Sequence, residues 1–168
     1  PSPSVSLTHN LPPARASTAN SSESFTITAQ FSASMSPTPT ISISGVVSNT
    51  AMTKVSSSTW IYTMNTNVVT TTVSSITATV AGVSSLGRTY VGTDTLVIYI
   101  DRSPPSFENL ELLSNGTFAI TFTEPIYSAF TSRIATGTIS AQNISLSLTG
   151  GTASLVSQNP TSITASGT

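Results

Sequence analysis

Apolar and hydroxyl residues alternate along this chain in short runs. Phe25, Ile27, Ala29 and Phe31 fall on one side of an extended segment, and Thr26, Thr28 and Gln30 on the other. The same period of two recurs at Val5 and Leu7, at Ile41 and Ile43, at Trp60, Tyr62 and Met64, at Ile76, Ala78 and Val80, and at Leu96, Ile98 and Ile100. Period two with Val, Ile, Tyr, Phe and Trp predicts half-buried strands. Pro37, Pro39, Gly45, Gly82 and Asp101 punctuate the runs. Six or seven such strands in about 100 residues is the density of an immunoglobulin-like sandwich. Phe25, Ile27, Phe31, Ile41, Ile43, Trp60, Tyr62, Ile76, Val80, Leu96, Ile98 and Ile100 are its expected core. No window of helical length carries a 3.6-residue period. The expected class is all-β.

Arg102-Ser103-Pro104-Pro105-Ser106 interrupts the pattern. Two prolines stiffen this stretch and remove backbone donors, so residues 103–106 read as a linker between domains 1–102 and 107–168. The pattern then restarts. Phe25-Thr26-Ile27-Thr28 is echoed by Phe118-Ala119-Ile120-Thr121, and Ile41-Ser42-Ile43-Ser44-Gly45 by Ile144-Ser145-Leu146-Ser147-Leu148-Thr149-Gly150. A repeated order of segments implies tandem domains. Ala153 to Val156 and Ile163 to Ala165 are the last strand candidates, and the strands at Trp60, Ile76 and Leu96 have no counterpart. The expectation is tandem sandwiches, the second incomplete within 168 residues.

Composition narrows the partners. Charged residues are 7% and the net charge is −1, against roughly 25% charged in ordinary domains. Serine and threonine fill about 60 positions instead. With hydrophobic residues at 38%, disorder is not expected. Five Lys and Arg residues are too few for nucleic-acid binding. No apolar run reaches the ~20 residues of a membrane-spanning helix. The absence of cysteine excludes disulfides and thiolate metal sites. A chain beginning at Pro1 reads as a processed or excised piece of a longer precursor.

Candidate chemistry is sparse. His9 is the one histidine, beside Leu11-Pro12-Pro13, and reads as a loop residue rather than a base. Glu23, Asp94, Asp101, Glu108, Glu111 and Glu124 are scattered, with no pair spaced as in a glycosidase. Calcium needs six to eight oxygen ligands, and Asp101 with Glu23 or Glu124 falls short. No catalytic residue, cofactor or metal is expected. Three N-x-Ser/Thr sequons, at Asn20, Asn115 and Asn143, are candidate glycan acceptors in a secreted protein. Covalent glycans would compensate for a surface poor in charge. Trp60 and Tyr62 are candidates for a sugar-stacking platform, but their alternation with Met64 favours the core.

Ser24 to Ala29, Thr38 to Gly45, Trp60-Ile61-Tyr62, Ile76 to Gly82 and Asp94 to Asp101 together resemble the bacterial-type immunoglobulin-like repeats of large extracellular, adhesin-like proteins. The likeness covers most of residues 1–102. Phe118 to Tyr127 and Asn143 to Gly151 resemble the front half of a related repeat. The chain is also similar to subunits of glycosylated extracellular fibrils from environmental water. The resemblance implies a β-sandwich, extracellular placement and a scaffolding or adhesive role without catalysis. Scarcity of acidic residues departs from those repeats that bind calcium. The expected function is a structural subunit of a filament or surface stalk, and the alternative is an adhesion or carbohydrate-binding module. Identical subunits are the expected partners, joined head to tail. The segment Ser2, Pro3, Ser4, Val5, Ser6, Leu7 and Thr8 is the expected donor strand, swinging out to complete a neighbour's second domain.

Overall fold

The computed structural model describes residues 1–70, 74–114, 116–131, 134–152 and 154–165. It is all-β, and no α-helix occurs among the described residues. The chain divides into two compact units, Pro1–Arg102 and Ser103–Thr168.

Among its described residues, unit 1 contains nine strands: β1 (Val5–His9), β2 (Thr18–Asn20), β3 (Ser24–Phe31), β4 (Thr40–Ile43), β5 (Val47–Ala51), β6 (Thr53–Lys54), β7 (Thr59–Asn65), β8 (Ser75–Ala81) and β9 (Leu96–Asp101). They form a four-stranded sheet in the order β1-β3-β7-β6 and a five-stranded sheet in the order β2-β9-β8-β4-β5. All neighbours are antiparallel except β2 and β9, which run parallel.

The period-two pattern accounts for this architecture. Strand β3 alternates from buried Phe25, Ile27, Ala29 and Phe31 to its hydroxyl face. Strand β8 does the same with Ile76, Ala78 and Val80. Each sheet therefore has one apolar side, and both apolar sides contribute to a single core. The arrangement is compatible with a β-sandwich. Every residue of the expected core belongs to this cluster, with Tyr62 and Leu96 partly rather than fully buried. Leu11, Ala19, Met35, Met52, Met64, Val69 and Tyr90 also enter it. Phe31 and Tyr90 meet edge to face with ring centroids 6.1 Å apart.

The alternation did not reveal β2, β5 and β6. These strands have three, five and two residues, and β5 and β6 lie mostly exposed. Edge strands need few apolar residues, so their pattern is faint.

The Ser2 to Thr8 segment corrects the expectation of a free donor. Val5 to His9 is the edge strand of its own four-stranded sheet, in unbroken register with β3 from Val5 opposite Phe31 to His9 opposite Ile27. Pro3 and Val5 are buried. Ser4 is held at both ends, its N–H donating to Ser32 Oγ (2.8 Å) and its carbonyl accepting from Ser32 N–H (2.9 Å). Swinging this strand outward would break its ladder to β3 and expose Pro3 and Val5.

Unit 2 is built differently. Strands β10 (Phe107–Ser114) and β11 (Thr117–Phe122) form an antiparallel hairpin, and β12 (Ala129–Thr131) and β13 (Ile134–Thr136) a second, smaller one. Gly116, at φ 87°, supplies the left-handed backbone of the turn before β11. Strand β10 was not evident in the sequence because two register shifts break its alternation. The segment Ile144 to Leu148, expected as a strand, is irregular. Leu146 N–H donates to Gln158 O (2.8 Å) and the Asn159 amide donates to Ile144 O (2.8 Å), so isolated bonds replace a ladder. Leu155 to Val156 and Ile163 to Ala165 are irregular as well, and Ala153 lies outside the described residues. Alternation alone does not make a strand without a partner beside it.

Among its described residues, unit 2 buries none. Phe107, Leu110, Leu112 and Phe118 are each about half exposed.

Trp60 is 4% exposed at the centre of the four-stranded sheet. Trp60→Ala should lower the unfolding free energy by about 3–5 kcal/mol. Urea titration followed by circular dichroism measures it, and a change below about 1 kcal/mol would contradict the core assignment.

Candidate functional site

The densest polar cluster of unit 1 lies where the chain crosses from β1 in one sheet to β2 in the other. Pro12 and Pro13 start a single 3-10 turn over Pro13–Arg15, and Ala16 and Ser17 follow at φ 45° and 65°. Left-handed backbone at two non-glycine residues costs on the order of 1–3 kcal/mol each. Side-chain bonds hold it in place.

Arg15 clamps Glu23 with two guanidinium nitrogens, at 2.9 Å to Oε1 and 2.8 Å to Oε2. The pair is nearly dry, with side chains 12% and 10% exposed. Arg15 also donates to Asn20 Oδ1 (3.0 Å), and Asn20 N–H donates to Glu23 Oε2 (3.0 Å). Below them lies Thr66, fully buried. Its hydroxyl accepts from Glu23 N–H (2.7 Å) and donates to Asn20 O (2.7 Å). The backbone bond from Thr66 N–H to Glu23 O (2.9 Å) completes the knot. Its chemistry is that of a staple: every charge is matched, and the carboxylate is fully engaged.

His9 stands at the other side of the same loop. Its Nε2 lies 2.8 Å from Ser17 Oγ, a spacing that resembles a base beside a nucleophile. The other ring nitrogen decides the tautomer. Leu11 N–H donates to Nδ1 (3.2 Å), so Nδ1 carries no proton and Nε2–H donates to the Ser17 hydroxyl. A general base needs the reverse polarity. Burial lowers the His9 pKa from its ordinary value of 6.5, partly offset by a bond to its own backbone.

Asp94 belongs to a separate contact. Asp94 Oδ2 accepts from the Tyr90 hydroxyl (2.6 Å), and Asp94 N–H donates back to the same oxygen (3.1 Å). Glu108 and Glu111 lie exposed on β10. Among the described residues, no three His, Asp or Glu side chains gather as metal ligands.

The sequons occupy different settings. Asn20 is half-buried and tied to Arg15 through its amide oxygen. Asn143 is exposed, and its Oδ1 accepts from Ser140 N–H (2.8 Å) and Ser140 Oγ (2.9 Å). Asn115 lies outside the described residues.

Trp60 offers no stacking face to solvent. Its buried Nε1 has no hydrogen-bond partner among the described residues, and Lys54 Nζ sits 5.8 Å from the ring centroid. Tyr62 is partly buried against the same core. A shallow, open depression of about 400 Å³ lies over β4 and β8, lined by Ser42, Ser44, Ser48, Thr77 and Thr79. Two of these hydroxyls serve the backbone, Ser42 Oγ accepting from Asn49 N–H (2.9 Å) and Ser44 Oγ from Thr77 N–H (2.9 Å). Comparisons with family models, curated proteins and solved structures find no match for this chain.

Arg15→Ala would remove the guanidinium from the nearly buried Glu23 carboxylate. The expected loss is about 3 kcal/mol, measured by denaturant unfolding, and Arg15→Lys should recover only part of it. A loss within about 0.5 kcal/mol would mean that the pair behaves as a surface bridge.

His9 predicts a pH dependence. Its folded pKa is below the unfolded value, so the unfolded chain binds the extra proton first. His9's contribution is complete above about 6.5 and is lost as pH falls through the folded pKa. Melting temperatures at about pH 8 and about pH 5 should show a larger drop for the wild type than for His9→Gln. Equal drops would remove His9 as the cause.

Proposed function

We propose that this chain is a non-catalytic structural unit of an extracellular filament or surface stalk, assembled from identical subunits through the edges of its strands. The observation that carries the reading is the contrast between the two units. Unit 1 has a complete core, and unit 2 leaves its apolar side chains half exposed. Apolar surface stabilises by roughly 25 cal/mol per Å² when covered. Apolar side chains left exposed in this way favour an interaction surface over a finished exterior.

The immunoglobulin-like reading is supported by strand order. Lettered along the chain, the four-stranded sheet is A-B-E-D and the five-stranded sheet A′-G-F-C-C′, the partition of that fold. The parallel β2–β9 pair follows because the first strand changes sheets midway, at the Arg15–Glu23 staple. The disulfide and strand-C tryptophan of antibody domains are both missing: the chain has no cysteine, and Trp60 lies on β7.

The tandem reading is supported by register. In unit 1 the Phe25-Thr26-Ile27-Thr28 run pairs antiparallel with the strand before it in its sheet, β1. In unit 2 the Phe118-Ala119-Ile120-Thr121 run pairs antiparallel with β10. Each echo pairs antiparallel with the strand that precedes it in its own sheet.

A structural unit of this kind should self-associate. Sedimentation velocity and negative-stain electron microscopy of the full chain over a concentration series should give species larger than the monomer. A sharp monomer up to the solubility limit would overturn the proposal.

A further inference from the structure

Proteins guard the edges of their sheets with short strands, charges, bulges and bends. In unit 1, β6 has two residues and carries Lys54, and β2 has three and ends on the Asn20 staple. Strand β5 is bent by Asn49 at φ 49° and by a register shift against β4. Strand β1 has none of these guards: five residues in unbroken register, with no Lys, Arg, Asp, Glu or Pro.

The hairpin of unit 2 is equally one-sided. Strand β10 carries Glu108, Glu111 and two register shifts. Strand β11, Thr117–Phe122, has no charge, proline or glycine. Such a segment has the composition that pairs most readily with another strand.

The ladders fix which backbone groups are free. Ser32 N–H donates to Ser4 O and Asn10 N–H to Thr26 O, so in β1 the groups of Val5, Leu7 and His9 point away from β3. Thr123 N–H donates to Ser106 O, so in β11 those of Phe118, Ile120 and Phe122 point away from β10.

Charge selects the pairing. Unit 1 holds four cationic side chains against three carboxylates, and unit 2 one against three. The formal charge is +1 on unit 1 and −2 on unit 2, which favours a contact between unlike units over one between like units.

We propose that the outer edge of β11 in one copy adds to the outer edge of β1 in a second copy, becoming a fifth strand of its β1-β3-β7-β6 sheet. The added strand would lay Phe118, Ile120 and Phe122 in line with Val5 and Leu7, extending the apolar face. β1 itself stays seated in its own sheet. The contact is heterologous, so it propagates head to tail into a filament unless the rotation closes a ring.

This inference rests on the structural reading above, and its test separates the two. Lysine on an exposed face beside the edge blocks strand addition without touching the core. Ser6→Lys with Thr8→Lys blocks β1, and Thr117→Lys with Thr121→Lys blocks β11; all four residues are exposed. Each doubly substituted full chain should sediment as a monomer where the wild type forms filaments. Mixed in equal amounts, the two should form a one-to-one dimer and nothing longer, because one intact junction remains. That dimer would also prove both variants folded. Filaments persisting in either variant, or no dimer in the mixture, would overturn the edge assignment while leaving the structural reading standing. Self-dimers of the β1-blocked variant alone would replace it with a symmetric β11–β11 contact. A wild type that never leaves the monomer would sink both proposals.

Discussion

Packing of two apolar sheet faces against each other is the interaction on which unit 1 depends. No disulfide links its sheets, because the chain has no cysteine. The core must therefore supply what a covalent bridge supplies elsewhere, and it does so with side chains that leave almost nothing exposed. Ile27, Ala29, Ile41 and Ile98 are entirely hidden. β-branched side chains suit this task because they are stiff at χ1 and fill a pleated surface at small entropic cost. A one-residue slip of any strand would turn its hydroxyl face inward, so the core also fixes the register.

The same alternation explains the unusual composition. Every residue directed inward obliges its neighbour to face water, and this chain meets water mainly with Ser and Thr. Hydroxyls serve double duty here. Ser42, Ser44 and Ser56 accept hydrogen bonds from backbone N–H groups in and beside the turns. Hydroxyls do not repel one another, so such a surface lacks the charge that keeps sheet edges apart. Edges then matter more than in an ordinary domain, and the few charges present are informative by position. Lys54 stands on β6, Glu108 and Glu111 on β10, and the Arg15–Glu23 staple beside β2. Strands β1 and β11 carry no charge.

The staple shows how a local network serves the global fold. A chain that starts in one sheet and continues in the other must cross the sandwich edge in a tight loop. Arg15, Asn20, Glu23 and Thr66 hold that loop, including two left-handed residues that would otherwise relax. The His9–Ser17 contact belongs to the same crossing, and its tautomer makes it a structural bond.

The sequence by itself determined the class, the strands with an uninterrupted period of two, and the core residues of unit 1. Burial of one face imposes that period directly, which is why Phe25 to Phe31 and Ile76 to Val80 were legible. It also determined that no disulfide or thiolate can form, because the chain has no cysteine. Only the tertiary structure decided the rest. Strand β10 was hidden because bulges break alternation, and Ile144 to Leu148 read as a strand but lacks the neighbour that makes one. Ser2 to Thr8 looked free to leave because its sequence is short and simple; its ladder to β3 and the burial of Pro3 and Val5 hold it home. The partners of Arg15, His9 and Asn20 lie from two to 46 residues away, across turns that no periodicity describes. Hydrogen-bond direction, edge exposure and the joining of two sheets are properties of neighbours in space, and a linear pattern does not contain them.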